Sequence, residues 1–177
     1  MARILFIILS LAPLSLVVAQ DNRNALVIED SQVKELALPK VFQIGEYEEQ
    51  YGLLYEIYHD ILLTVCHDDM NLAFNKWMDM ITEMEAYAHQ IDFDLNGVKI
   101  WLKVFWNEDG RIRYLSYYRK PNSRNIDPVE LSAFLSSFMN VYKMPIDTTV
   151  KFTHNGSAQF PSTLIPLETR NDQQGKN

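Results

Sequence analysis

The stretch from Gly97 to Tyr118 constrains the fold more than any other part of the chain. Val98, Ile100, Leu102, Val104 and Trp106 alternate with Lys99, Trp101, Lys103 and Phe105. After Asn107-Glu108-Asp109-Gly110 the alternation resumes. Ile112, Tyr114, Ser116 and Tyr118 then fall between Arg111, Arg113, Leu115 and Tyr117. A period of two in β-branched and aromatic residues marks a strand, and the Asp-Gly pair supplies a tight turn. The spacing therefore predicts an antiparallel hairpin. The aliphatic face of its first strand has to be buried under helices. Its other face mixes lysines with Trp101 and Phe105. That face is either a solvent face with cross-strand cation–π contacts or a second, partly covered surface used by a partner.

Helical patterns flank the hairpin. Between Glu46 and Cys66, Leu53, Leu54, Ile57, Ile61, Leu62 and Val65 recur at helical spacing. Tyr47, Tyr51, Tyr55 and Tyr58 form a stripe beside them, which broadens the buried face or offers rings for ligand stacking. His67-Asp68-Asp69 breaks this helix and caps the next. A second amphipathic pattern runs from Met70 to about Gln90 through Ala73, Phe74, Trp77, Met78, Ile81, Met84 and Ala88. The two are expected to form an αα-hairpin or one kinked helix. Asp127-Pro128-Val129-Glu130 announces a third helix with an N-cap, a proline at the first helical position and an acid behind it. Met144-Pro145 stops it. Thr148–Thr153 is expected as a closing strand. His154-Asn155-Gly156 either turns it back onto Ser157–Phe160 or interrupts one bulged strand. The expected class is α+β: two N-terminal helices, a β-hairpin, a helix and a closing strand, in a two-layer sandwich with a small antiparallel-rich sheet.

The chain of 177 residues suits one domain. Arg3, the apolar run Ile4–Val18 and the small Ala19 have the form of a cleavable secretory signal. The run is shorter than the roughly 20 apolar residues of a membrane span and contains Pro13. The expected organisation is a signal peptide over 1–19, a flexible leader over 20–45, one α+β domain over 46–162 and a disordered tail over 163–177. The expected location is periplasmic or secreted, with no membrane insertion after cleavage. The net charge of −7, without a basic stripe, argues against nucleic acid. The single cysteine, Cys66, excludes an internal disulfide. Packing must supply the stability.

Three local features resemble the C-terminal domain of the TonB energy-transducer family. They are Gly97-Val98-Lys99-Ile100 running through Asp109-Gly110-Arg111-Ile112, the return helix after the Pro121 loop, and Val150-Lys151-Phe152-Thr153 as a closing strand. The resemblance covers about half of the chain that follows the signal. It implies a periplasmic domain that recognises short peptides by adding them to a sheet edge. It does not carry energy transduction. There is no Pro-rich spacer, and about 25 polar residues before the first helix are too few to cross a periplasm at about 3.5 Å each.

Catalytic chemistry finds little support. His59, Cys66, His67, Asp68 and Asp69 are metal-ligand types in one region, but no paired spacing joins them into a zinc set. There is no G-x-S-x-G elbow and no glycine-rich phosphate loop. Asn155-Gly156-Ser157 matches a glycosylation sequon and also serves as a turn. Around the end of the hairpin, Tyr117, Tyr118, Arg119, Lys120 and Arg124 form a cationic and aromatic cluster that suits an acidic ligand or peptide. The expected binding residues are Trp101, Phe105, Tyr117, Arg119 and Arg124, with no catalytic residue, metal or cofactor. The expected function is an exported, non-enzymatic interaction module that binds a peptide or protein at a sheet edge, with the hairpin's free edge and its mixed face as the expected place. The alternatives are a small metal-dependent enzyme centred on His59–Asp69 and a structural component of the cell envelope.

Overall fold

The computed structural model of the protein describes residues 38–162. The expected signal peptide, most of the leader and the tail beyond 162 lie outside the described residues. The class is α+β, as the pattern predicts. In chain order the elements are β1 (Val41–Gln43), α1 (Glu48–Ile57), β2 (Asp60–Ile61), α2 (Leu62–Val65) and α3 (Met70–Gln90). β3 (Lys99–Trp106), β4 (Ile112–Arg119), α4 (Pro128–Val141) and β5 (Phe152–Gln159) follow. The strands form one 5-stranded sheet in the order β1-β4-β3-β5-β2.

The hairpin lies at the heart of this sheet. β3 is antiparallel to β4 on one side and to β5 on the other, so it has no open edge. β1 runs parallel to β4 and pairs Val41 with Leu115 and Gln43 with Tyr117. This places a sheet strand inside the stretch expected as leader.

One face of the sheet carries the main core. Ile100, Leu102, Val104 and Trp106 of β3 pack with Trp77, Met80, Ile81 and Met84 of α3 and with Leu131, Phe134, Leu135 and Phe138 of α4. The two long helices start where local chemistry dictates. The Asp69 side chain accepts hydrogen bonds from the Asn71 and Leu72 N–H groups at 2.9 and 3.0 Å. Asp127 accepts from Val129 N–H at 2.8 Å, ahead of Pro128. Each satisfies donors that the first helical turn leaves unpaired.

The Glu46–Cys66 stretch departs from expectation: neither an αα-hairpin nor a single kinked helix forms. Leu54 and Tyr58 pack with Phe42, Phe105 and Tyr114 in a second cluster. Phe105 and Tyr114 are register partners that point away from the main core. Leu62 and Val65 instead belong to the main core. No straight helix buries both sets, because the sheet stands between them. The chain therefore breaks after Ile57 and rounds the sheet border as β2, which pairs Asp60 with Phe152 and Ile61 with Thr153. It re-enters as α2 on the other side.

β5 also differs from expectation. It starts at Phe152, not Thr148, and pairs with β3 in unbroken register from Lys99↔Gln159 to Trp106↔Phe152. Asn155-Gly156 is thus neither a turn nor a bulge. The glycine serves another purpose: a Cβ there would lie 2.8 Å from Trp77 Cε2 and Cζ2. The bare Cα lets the Trp77 indole close directly onto the strand. The indole also contacts His154, with ring centroids 4.8 Å apart.

Burial holds the His154 pKa below its ordinary value, and Lys103 pushes it the same way. The unfolded chain therefore binds this proton before the folded one does. The stabilising contribution is complete above about pH 6.5 and declines as pH falls through the folded-state value. Urea midpoints compared above and below about pH 6.5 should fall more in acid for the unmodified protein than for His154→Gln. Parallel pH profiles would remove His154 from the acid response.

Candidate functional site

The structure separates the five residues expected to bind. Phe105 is 0% exposed and packs against Tyr51 and Tyr58 at centroid distances of 6.1 and 5.3 Å. α1 covers it. Tyr117 is also 0% exposed, and its hydroxyl meets Pro128 O at 3.1 Å and Ser132 Oγ at 2.9 Å, where α4 begins. Both are core residues, a correction to the sequence-based expectation. Arg119 donates to Asn125 Oδ1 and Ile126 O at 3.1 and 2.9 Å, and so braces its own loop. Arg124 pairs with Asp94 Oδ2 at 2.6 Å and also bonds Asp94 O. The Asn96 N–H, and after it Arg124, hold the Asp94 carboxyl below the usual range.

Trp101 and Arg124 are the two of the five that are exposed, and of these Trp101 lies on the sheet, at 39% exposure beside its cross-strand partner Tyr118 at 52%. They lie on the sheet face opposite the main core. α1 covers one end of that face, over Phe105 and Tyr114. The other end carries Lys99, Trp101 and Lys103 from β3, Tyr118 from β4, and Asn155, Ser157 and Gln159 from β5. No acidic residue occupies these strand positions. The Lys103 ammonium sits 4.5 Å from the Tyr55 ring centre. The Tyr55 hydroxyl reaches Tyr51 Oη at 3.3 Å, and burial, followed by that hydrogen bond, pushes the Tyr51 phenol up to about 12.

Next to this face runs an open strand edge, and it is not the one the sequence suggested. The hairpin's outer side is paired by β1 and its flanking bonds, with Leu115 N–H donating to Lys40 O and Ile44 N–H to Tyr117 O. β5 is different. Phe160 N–H donates to Val98 O at 3.0 Å, which fixes the phase of the β5 ladder. Alternate residues Ala158, Gly156 and His154 then face β3, and Asn155, Ser157 and Gln159 aim N–H and C=O outward. Among the described residues β2 pairs only with Phe152 and Thr153, so the edge from His154 to Gln159 has no strand beside it. Asn155, Ser157 and Gln159 are exposed.

Other candidates offer less. Around the C-terminal end of α3 lies a hollow of about 310 Å³ lined by Glu85, His89, Asp92, Phe93 and Asp94 among others. Phe93 stacks on Phe134, and Ser162 N–H donates to the Glu85 carboxylate at 2.9 Å. In the His59–Asp69 region, His59 is exposed and contacts Asp60 at 3.3 Å, while Cys66 is buried with its thiol pKa raised by burial. Among the described residues no three His, Cys, Asp or Glu side chains are grouped to hold a metal ion. No helix among them is long and apolar enough to cross a membrane.

No family model matches this chain, and neither a curated protein nor a solved structure matches it.

Proposed function

We propose that this protein is an exported, non-enzymatic interaction module that captures an extended polypeptide by strand addition at the outer edge of β5. The observation that carries the reading is the run of outward N–H and C=O groups at Asn155, Ser157 and Gln159, with no strand beside them among the described residues. Such an edge supplies a ladder of main-chain hydrogen bonds, and the neighbouring face selects side chains. The β5 edge is firmly backed, because Trp77 packs on Gly156 from the core side. The exported location rests on the apolar run Ile4–Val18, and the resemblance to the TonB C-terminal domain favours the same mode of recognition. The edge belongs to β5 and not to the hairpin, where the sequence pointed.

Ser157→Pro tests the reading. Proline removes the outward N–H and sets a ring in the path of an incoming strand, yet an edge position tolerates it. Linear peptides selected on the unmodified protein from a random displayed library should bind Ser157→Pro at least about tenfold more weakly, with an unchanged far-UV dichroism spectrum. Equal binding by the two proteins would remove the β5 edge as the docking site.

A further inference from the structure

The edge is not chemically neutral. Lys120 follows β4 and anchors its backbone by donating to Lys99 O at 3.0 Å. Its side chain crosses the open face, with Nζ 6.0 Å from the Trp101 ring centre, and donates to Ser157 Oγ. An ammonium is thereby delivered to the middle of the β5 edge, beside outward main-chain groups. Lys103 stands opposite Asn155 on the same face, and no carboxylate from β3, β4 or β5 opposes either cation. The whole chain carries a net charge of −7, so this is a local reversal of sign.

We infer that the segment captured at β5 is acidic, with an Asp or Glu opposite Ser157 held by the Lys120 ammonium. This rests on the strand-addition reading and names its ligand class. An added strand lies about 4.8 Å beyond β5 and points alternate side chains onto the face that holds Lys120. A carboxylate opposite Ser157 falls within reach of Nζ, which trades a neutral hydroxyl acceptor for a charged one. A second copy of this chain is the disfavoured occupant. Antiparallel pairing of two β5 edges about Ser157 sets two Lys120 ammoniums side by side, and like charges across a ladder repel.

The test uses three synthetic extended peptides that alternate valine with glutamate, glutamine or lysine. Each is titrated against the purified full chain and its Lys120→Gln and Lys120→Glu variants, with dichroism as the check on folding. The glutamate peptide should bind about three- to tenfold more tightly than the glutamine peptide, and the lysine peptide more weakly still. Lys120→Gln should erase most of that preference, and Lys120→Glu should reverse it. The preference should shrink in high salt. Equal binding of all three peptides overturns acidic selection and leaves strand addition standing. Binding of none overturns both, and dimerisation of the neutral Lys120→Gln variant in that case identifies Lys120 as a guard against self-pairing of the edge.

Discussion

Phe105→Ala should lose about 3–5 kcal/mol of folding stability, the usual cost of emptying a fully buried aromatic site. The ring is 0% exposed and joins Phe42, Leu54, Tyr58 and Tyr114 between α1 and the sheet. Tyr51 and Tyr58 meet it edge-on. Its removal leaves α1, a helix of 10 residues, with little to hold it. Hydrogen exchange should then report faster opening of the α1 amides than of α3. Trp101→Ala on the same strand face should cost under about 1 kcal/mol, because its side chain is exposed and belongs to neither core cluster. Urea denaturation of the two variants separates core from site. Similar losses for both would mean that the open half of this face is more tightly covered than described.

Gly110→Ala is the second large effect. Gly110 holds φ +79°, and an added Cβ would lie 2.4 Å from the Met144 carbonyl oxygen. The close approach is structural: Met144 N–H donates to Gly110 O at 2.9 Å, beside the bridge between Arg111 and Lys143. Alanine brings about 1–2 kcal/mol of left-handed backbone strain. Displacing the chain at Met144 adds about 1–3 kcal/mol. The sum, about 2–5 kcal/mol, should appear as a lower denaturation midpoint with an unchanged slope. Gly52→Ala is the control. Nothing lies within 4 Å of a Cβ at Gly52, which sits inside α1. That change should be neutral or stabilising by up to about 1 kcal/mol.

Gly110 also marks what was legible in the sequence. The Asp-Gly turn, the hairpin and both long helices are written locally, in alternation, helical period and the caps at Asp69 and Asp127. The covers of the Val98–Trp106 face followed from the same periods. The break after Ile57 is not local. Leu54 and Leu62 continue one helical stripe in sequence, yet the sheet lies between the clusters they join. β1 is 3 residues long and parallel, too short to leave a period. Gly156 reads as a turn residue until Trp77, distant in sequence, is seen to need its bare Cα.

The site was legible only in part. Trp101 was identified and is exposed, and Lys120 belonged to the cationic cluster drawn from the loop. Phe105 and Tyr117 alternate as surface residues do in a two-stranded hairpin. They are buried because α1 and the start of α4 cover them. The open edge could not be assigned to β5 from the sequence, because the strand order depends on pairings between distant segments.

The most direct measurement of the central claim is a backbone amide NMR titration of the full chain with a library-selected linear peptide. The amides of Asn155, Ser157 and Gln159 should shift and gain exchange protection, while those of Gly156 and Ala158, already bonded to β3, should change little. Shifts centred on the Phe93–Asp94 hollow, with the β5 amides unmoved, would contradict it.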